Sequence, residues 1–274
     1  MIVTRFAPSP TGYLHLGHAY AAIRAHDAGE RFLLRIEDID RARCRPEFEQ
    51  SIYEDLSWLG LDWEKPVLCQ SDRSDAYRDA LDRLDSQGLT YPCFCTRKDI
   101  ADEIARAASA PHGAEGPLYP GTCRHLSAET RREKIVSGLA YTLRLDAARA
   151  ATRTGPLTFV EHGTPNAVEP LLLGDVVLAR KEMPAAYHLA AVVDDAFQGV
   201  TLVTRGADLL PTTHVQRLLQ ALLELPALRY AHHRLILDAS GRKFSKRDES
   251  MTLRSLRESG VTPREIRARL LREE

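Results

Sequence analysis

The stretch from Ile2 to His18 constrains this chain most, because it specifies a strand, a tight loop and a helix in immediate succession. The β-branched run Ile-Val-Thr at 2–4 predicts a buried strand. Two prolines and a glycine follow in the string RFAPSPTG, which begins at Arg5, and they exclude both a longer strand and an early helix. Residues 14–28 are rich in Ala and Leu and contain no proline, which predicts a helix. The N–H groups at the start of such a helix favour an anion.

Two histidines stand at the start of this predicted helix. His15 and His18 are three positions apart and therefore project from one face. Gly17 between them would let a ligand approach the backbone closely. A surface turn with two incidental histidines is the alternative interpretation of the pair alone. The longer string is more specific, because His15-Leu16-Gly17-His18 resembles the HIGH signature of class I aminoacyl-tRNA synthetases, and RFAPSPTG resembles their glutamyl-specific branch.

Charged residues also follow two further predicted strands. Glu37 comes directly after the predicted strand 31–36, and Arg205 follows the predicted strand 199–204. In open parallel sheets, ligands bind outside the carboxyl ends of the strands. An arginine there suits a carboxylate, which it can bind through two charge-assisted hydrogen bonds. The alternatives are a solvated acidic turn at Glu37 and a structural ion pair between Arg205 and Asp208.

The resemblance assigns these residues to a glutamate pocket. In glutamyl synthetases the first acid of the RIED motif, here Glu37, binds the α-ammonium group of glutamate. The segment 185–209 is similar to the glutamate-pocket segment of the same enzymes. The glutamate contacts that the resemblance implies are Arg5, Ala7, Ser9, Glu37, Tyr187 and Arg205.

A basic loop near the end of the chain carries Lys243 and Lys246 after a predicted strand at 235–237. Alone, a KxSK string is usually a solvated loop, but with the first signature it resembles the second class I signature, KMSKS. The resemblance implies that His15, His18, Lys243 and Lys246 stabilise phosphate charge in catalysis. The ATP contacts that it implies are His15, Gly17, His18 and Lys246, with Mg²⁺ accompanying the ATP.

Three of the five cysteines, Cys93, Cys95 and Cys123, have a spacing that could hold a structural zinc ion. Three buried, inert thiols are the alternative. On chemistry alone the fourth ligand is open, with His112 and His125 as the default choices. The resemblance points elsewhere, because glutamyl-Q tRNA(Asp) synthetases use a tyrosine between the Cys-x-Cys pair and the third cysteine. Here that implies zinc on Cys93, Cys95, Tyr119 and Cys123.

Composition bounds the partners of this chain of 274 residues. The formal net charge is −1, so a nucleic-acid partner requires a local basic patch, for which the arginines and lysines of 124–149 are candidates. They are equally well explained as solvated surface charges. An apolar run of membrane-spanning length and a signal peptide are both missing from the sequence. We therefore expect a cytoplasmic protein without a membrane partner, and a monomer.

The resemblance implies an α/β fold, namely the Rossmann-type catalytic core of class I aminoacyl-tRNA synthetases, split by an insertion with a zinc-binding loop. The predicted divisions are listed in chain order: 1–92 as the first half of the core, 93–178 as the insertion, 179–225 as the second half, and 226–274 as the KMSKS-like loop with a short helical segment.

The implied reaction joins glutamate to ATP, giving glutamyl-adenylate and pyrophosphate, and then passes glutamate to an RNA. Only residues 248–274 follow Arg247, whereas full glutamyl-tRNA synthetases continue into helical anticodon-binding domains, which we expect to be absent. This favours the glutamyl-Q branch, which glutamylates the queuosine base in the anticodon stem-loop of tRNA(Asp). The alternatives are a truncated glutamyl-tRNA synthetase that charges a tRNA 3′ end, and a catalytically silent tRNA-binding paralogue.

Overall fold

The computed structural model describes residues 1–106, 112–113, 116–180, 183–236 and 252–271, with backbone alone between 103 and 117. The helices are α1 Leu16–Ala28, α2 Pro46–Trp58, α3 Ser74–Ser86, α4 Arg97–Arg106, α5 Ala128–Val136, α6 Ala147–Thr154, α7 Tyr187–Phe197, α8 Leu210–Leu222, α9 Leu253–Glu258 and α10 Pro263–Leu271. The strands are β1 Val3–Phe6, β2 Arg31–Ile36, β3 Glu64–Cys69, β4 Thr90–Cys93, β5 His112–Gly113, β6 Gly116–Pro117, β7 Thr142–Leu145, β8 Thr158–Glu161, β9 Thr164–Ala167, β10 Val177–Arg180, β11 Leu202–Gly206 and β12 Arg229–His233.

The chain forms two compact units, each built from segments that are discontinuous in sequence. The first unit comprises Met1–Asp72, Gly199–Leu209 and Leu228–Glu274, and the second comprises Arg73–Gln198 and Leu210–Ala227. The four functional divisions expected from the sequence stay a prediction.

Parallel strands form the first unit's sheet. β1 pairs in parallel with β2, β2 with β3, and β11 with β12. β11 lies beside β1 and runs in the same direction: the Thr201 N–H donates to the Val3 carbonyl at 2.9 Å, and the Arg5 guanidinium donates to the Thr204 carbonyl at 3.4 Å. The carboxyl ends of these strands therefore meet at one edge, the edge at which such sheets bind ligands. The α/β fold with a parallel sheet that the sequence predicts is confirmed.

The core of the first unit forms around α1, whose apolar face is fully buried. Leu16, Tyr20 and Ile23 belong to one hydrophobic cluster with Ile52 and Leu56 of α2. Helices α9 and α10 join the same cluster through Leu253, Ile266 and Leu270. Burial of each such side chain contributes about 1.5–3 kcal/mol to folding. The helix that carries the two histidines is thus held rigidly on the sheet.

The second unit contains an antiparallel sheet in the order β10-β7-β4 and a β8–β9 hairpin. A buried carboxylate, Asp175, joins its elements: it accepts hydrogen bonds from the Tyr91 hydroxyl at 2.5 Å and the Ala147 N–H at 3.0 Å. Arg124 completes the group with an ion pair to Asp175 at 3.1 Å. This arginine, a candidate phosphate contact in the sequence, therefore has a structural partner.

Most elements predicted from periodicity are present, and one is wrong. Residues 31–36 form a strand as expected, and the first predicted helix starts at Leu16. The strand expected at 235–237 is not formed at Leu235 and Ile236, and residue 237 lies outside the described part of the chain. The strand in this region is β12, which ends at His233. Its two histidines and one arginine make β12 less apolar than residues 235–237, which follow it and have the composition typical of a strand.

Among the described residues, none of the helices combines the length and the apolar character needed to cross a bilayer.

Candidate active site and metal centre

The two histidines of the first signature cap helix α1. The His15 Nδ1 accepts the Gly17 N–H at 3.1 Å, and the His18 Nδ1 accepts the His15 N–H at 3.2 Å, which makes a reciprocal capping box. The two rings lie 3.8 Å apart between centroids. Because Nδ1 is an acceptor in both rings, each neutral ring carries its proton on Nε2. Two Nε2–H donors therefore stand beside each other at a helix N-terminus, where negative charge is favoured.

Gly17 is required by the His15 ring. A Cβ built on Gly17 would lie 3.0 Å from Cε1 and 3.1 Å from Nδ1 of His15. Those separations are tighter than ordinary van der Waals contact, so a side chain at this position would displace the imidazole. The glycine expected to admit a ligand thus also makes room for a capping ring.

Hydrogen bonds join the loop between β1 and α1 to the residue after β2 and to the residue before α2. The Glu37 N–H donates to the Pro8 carbonyl, and the Arg45 N–H donates to the Pro10 carbonyl, both at 3.0 Å. Ala7 and Ser9, two of the predicted glutamate contacts, lie half-buried in this loop. The Glu37 carboxylate thus stands beside the loop of the first signature.

Arg35 supports that carboxylate, and sequence reasoning missed it. Its side chain is fully buried, and its Nη2 lies 3.5 Å from the Glu37 Oε1. A buried cation beside an acid favours the ionised carboxylate, the form that binds an ammonium group. The signal was available, because an arginine inside an otherwise apolar strand is costly to bury without a task.

Arg5 and Arg205 are both buried, with 6% and 5% of their surface exposed. They lie on the neighbouring parallel strands β1 and β11. The Arg205 Nε donates to the Nε2 of His232, its register partner on β12, at 3.0 Å. The first unit therefore carries Arg5, Glu37 and Arg205 on or just after parallel strands of one sheet. Their shared role in binding glutamate stays a prediction.

Three further predicted site residues belong to the second unit or fall outside the described residues. Tyr187 is the first residue of α7 in the second unit, with 37% of its surface exposed. Lys243 and Lys246 lie outside the described residues. The chain is described again from Thr252, which forms a β-bridge with His15, and the Leu253 N–H donates to the Leu14 carbonyl at 2.7 Å. The residues just after the KMSKS-like segment are thus fastened to the first signature.

Three thiols of the second unit form a compact group. The sulfurs of Cys93, Cys95 and Cys123 all lie within 4.8 Å of one another. Cys95 lies 3.5 Å from Cys123 between sulfurs, and 3.8 Å from the Tyr119 hydroxyl. Tetrahedral zinc with bonds of about 2.3 Å to sulfur requires sulfurs about 3.8 Å apart. The residues therefore fit a structural zinc ion.

The electrostatic environment differs between the thiols of this group. Burial alone would raise the pKa of the Cys93 thiol, but hydrogen bonds from Tyr119 and Arg144 outweigh burial and lower it. Burial raises the pKa of Cys95 to about 12, and a hydrogen bond with Cys123 adds to the rise. The Arg144 guanidinium lies 3.9 Å from the Tyr119 ring centroid and would offset the negative charge of zinc-bound thiolates.

The alternatives for the fourth ligand differ in position. The Tyr119 hydroxyl touches Cys95 and accepts the Cys123 N–H at 2.9 Å. His125 is exposed, and among the described residues the group of candidate ligand atoms does not include it. The side chain of His112 lies outside the described part of the structure. Tyr119 is therefore the candidate with contacts to the thiols.

These features, a parallel α/β sheet with a histidine-capped helix at its carboxyl edge, define a class I synthetase core, and the sequence comparisons agree. The family described as "tRNA synthetases class I (E and Q), catalytic domain" matches residues 1–273. The chain belongs to this family.

Individual relatives show which members of this family the chain resembles. A glutamyl-Q tRNA(Asp) synthetase from Rhodobacter capsulatus is 50% identical, over 97% of this chain and 98% of that protein. One from Symbiobacterium thermophilum is 42% identical, over 97% of this chain and 84% of that protein. The crystal structure of a glutamate-tRNA synthetase from Elizabethkingia anophelis is similar with a TM-score of 0.72 and 28% identity. It matches 91% of this chain, which spans about half of that structure, 53%.

Replacing His15 by Asn should separate capping from chemistry. The asparagine Oδ1 can accept the Gly17 N–H, and Asn is a strong N-cap, so thermal stability should stay near wild type. The Nε2–H donor is lost, so ATP–pyrophosphate exchange should fall by about 10²–10³. Gly17→Ala should lower exchange as well, by displacing the ring. Full exchange activity in His15→Asn would show that the Nε2–H has no part in catalysis.

Purified protein should carry one zinc ion per chain, and Cys93→Ser or Cys123→Ser should abolish it. Elemental analysis of freshly prepared protein measures the metal. Tyr119→Phe should weaken zinc retention against a chelator, because it removes only the oxygen, whereas His125→Ala should not. Cys69→Ser is the matched control, because Cys69 packs against the first unit's core. If freshly prepared wild-type protein contains no zinc, the three cysteines are buried packing residues instead.

Proposed function

We propose that this chain is a ligase-type enzyme that activates glutamate with ATP and transfers it to the queuosine base of tRNA(Asp). The observation that carries the first half is the set of charges at the carboxyl edge of the parallel sheet. Arg5 and Arg205 are buried cations on neighbouring strands, and Glu37 is an acid held at the same edge. An amino acid with a side-chain carboxylate complements that set, because it offers two carboxylates to the arginines and one ammonium group to the acid.

The proposed glutamate contacts bind different groups of the amino acid. Glu37 would accept hydrogen bonds from the α-ammonium group, and Arg205 would bind a carboxylate through its guanidinium. Arg5, Ala7 and Ser9 lie on β1 and the loop after it, at the same edge of the sheet. Tyr187, in the second unit, stays a prediction from the sequence.

The adenylation step needs charge stabilisation and no covalent nucleophile. The glutamate α-carboxylate oxygen attacks the α-phosphorus of ATP, the bond to the β-phosphate oxygen breaks, and pyrophosphate leaves. The Nε2–H groups of His15 and His18 are placed to donate to phosphate oxygens as charge develops. Lys243 and Lys246 would add positive charge, and Mg²⁺ would accompany the ATP.

The acceptor is proposed from the relatives. Both glutamyl-Q relatives match 97% of this chain, and the chain matches 98% and 84% of their lengths. Transfer to a tRNA 3′ end is the competing proposal, since the similar solved structure is a glutamate-tRNA synthetase. We propose the anticodon stem-loop of tRNA(Asp) as the contact, a monomeric and cytoplasmic enzyme, and a zinc ion that stabilises its loop.

The experiment that decides between these proposals locates radiolabelled glutamate on the tRNA. Protein, ATP and radiolabelled glutamate are incubated with tRNA(Asp) that contains or lacks queuosine. We expect labelling of queuosine-containing tRNA alone, and the label should map to the anticodon fragment after nuclease digestion. Label at the 3′ end would support the glutamyl-tRNA alternative. Absence of ATP–pyrophosphate exchange with glutamate would support a catalytically silent paralogue.

Substrate choice tests the carboxylate pocket. Wild-type protein should activate glutamate well and glutamine poorly, because an amide brings no charge and turns an NH₂ towards donors. Arg205→Gln should raise the KM for glutamate and narrow the preference over glutamine, which can reach 10⁴ or more in sites with buried polar groups. ATP–pyrophosphate exchange at varied amino-acid concentrations measures both. Equal activation of the two amino acids by wild type would contradict the glutamyl assignment.

A further inference from the structure

The residues that follow the KMSKS-like segment lie against the start of the first signature. Three residue pairs in antiparallel order make this contact: His15 with Thr252, Leu14 with Leu253, and Tyr13 with Arg254. The first pair is a β-bridge, and the second is a hydrogen bond from N–H to carbonyl at 2.7 Å. In the third pair the guanidinium donates to the tyrosine hydroxyl at 2.9 Å. The contact therefore includes the N-cap histidine of α1.

Helix α9 follows this contact directly and is too short to be stable alone. It has six residues, whereas isolated helices of fewer than about 12 residues are marginal in water. Its position therefore depends on the surface against which it packs. Leu253, at its first position, is fully buried in the core of the first unit. Arg257 is four positions further on and so lies on the same face of the helix.

Two neighbouring acids of α2 meet the Arg257 guanidinium in different surroundings. Its Nη2 donates to the Glu54 Oε2 at 3.3 Å, and its Nη1 lies 3.3 Å from the Asp55 Oδ1. The Glu54 side chain is 49% exposed, whereas Asp55 is fully buried. An exposed ion pair contributes little, because water screens it. A buried pair is costly to separate, because separation leaves a charge without its partner inside the protein.

The Asp55 carboxylate is charged at neutral pH in spite of its burial. Burial raises its pKa to about 6, and the charge of Arg257 opposes that rise. Ser51, one turn earlier on α2, donates its hydroxyl to the Asp55 Oδ2 at 3.4 Å and also favours the ionised form. The ion pair with Arg257 thus links a buried charge on α2 to α9.

We propose that Asp55 and Arg257 are positioning residues for the use of ATP: their ion pair seats α9 on α2 and so holds Thr252 against His15. The inference rests on the proposed adenylation, which assigns the His15 ring to the phosphates of ATP. It concerns the nucleotide and predicts little change in the affinity for glutamate.

Two matched substitutions on α2 separate the buried acid from its exposed neighbour. Asp55→Asn removes the charge and keeps the size of the side chain, so the fold should be kept while α9 is held less firmly. In ATP–pyrophosphate exchange we expect kcat to fall and the KM for ATP to rise, together by about tenfold in kcat/KM, with the KM for glutamate within about twofold of wild type. Glu54→Gln removes the exposed partner of the same guanidinium, and its kinetics should match wild type.

Hydrogen exchange reports directly on the seat of α9. The Leu253 N–H donates to the Leu14 carbonyl, so its exchange with deuterated water measures how often this contact opens. Mass spectrometry of peptides that include residues 252–258 gives the rate. Asp55→Asn should raise the rate by about tenfold, and Glu54→Gln should leave it unchanged.

Substitutions of Arg257 test whether the two residues act together. Arg257→Lys keeps a cation and should retain kcat/KM for ATP within about threefold of wild type, whereas Arg257→Gln should be impaired at least as far as Asp55→Asn. If Asp55 acts through Arg257, adding Asp55→Asn to Arg257→Gln should cause no further loss. If Arg257→Gln fails to fold, Asp55→Asn still gives the decisive comparison with Glu54→Gln, because it leaves no unpaired acid.

The outcomes are distinct from those of the proposed function. If wild type exchanges pyrophosphate but Asp55→Asn shares its kcat and its KM for ATP, the inference is wrong and the function stands. Faster hydrogen exchange in Asp55→Asn with unchanged ATP kinetics also overturns the inference, because the ion pair is then structural alone. Equal impairment in Glu54→Gln overturns it as well. If wild type does not exchange pyrophosphate with glutamate, the proposed function fails, and the inference fails with it.

Discussion

The hydrogen bond from the Glu37 N–H to the Pro8 carbonyl is the contact on which the proposed active site depends. It joins the residue after β2 to the loop after β1, and thereby holds an acid beside the loop of the first signature. Proline has no N–H to donate, but its carbonyl is a full acceptor, and its fixed φ leaves that carbonyl few directions. The prolines that end the strand therefore also supply the anchor that places Glu37. Parallel pairing of β1 and β2 does the rest, because it ends both strands at the same edge.

Two of the charged side chains at this edge have a described contact within the protein. Arg35 lies beneath Glu37 and favours its ionised form, and at 3.5 Å the contact is looser than a close bidentate ion pair. The Arg205 Nε–H donates to the His232 imidazole at 3.0 Å. Burying a cation costs free energy, and a bound ligand of opposite charge can offset that cost. Asp175 in the second unit accepts three hydrogen bonds, and all three donors belong to the protein. This carboxylate therefore has a structural role.

Sequence reasoning succeeded where one pattern dominates a segment and failed where function overrides composition. Strand 31–36 was predicted within its true bounds, because five of its six residues are buried and four of those are apolar. β12 was missed because Arg229, His232 and His233 lower its apolar content, and only pairing with β11 reveals it. The contact between Arg205 and His232 could not be predicted for the same reason, because only the pairing of β11 with β12 brings these two residues together. The cysteine cluster was predictable, because a Cys-x-Cys pair at the end of a strand leaves few positions for its sulfurs.

The spacing of the two histidines has a physical origin in the helix as well as in the chemistry. A capping box requires partners at the N-cap and at the third helical residue, and His15 and His18 occupy those positions. Serine and glutamate, the usual pair, would satisfy the backbone equally well, but the glutamate carboxylate would repel a phosphate. Histidine uses Nδ1 for the helix, and in the proposed mechanism its Nε2–H donates to a phosphate oxygen, so that one ring would serve both stability and charge stabilisation. Gly17 follows from the same geometry, since a larger residue would collide with the His15 ring. The His-x-Gly-His string is therefore the sequence form of a helix cap, and the proposed function gives its two rings the further role of phosphate donors.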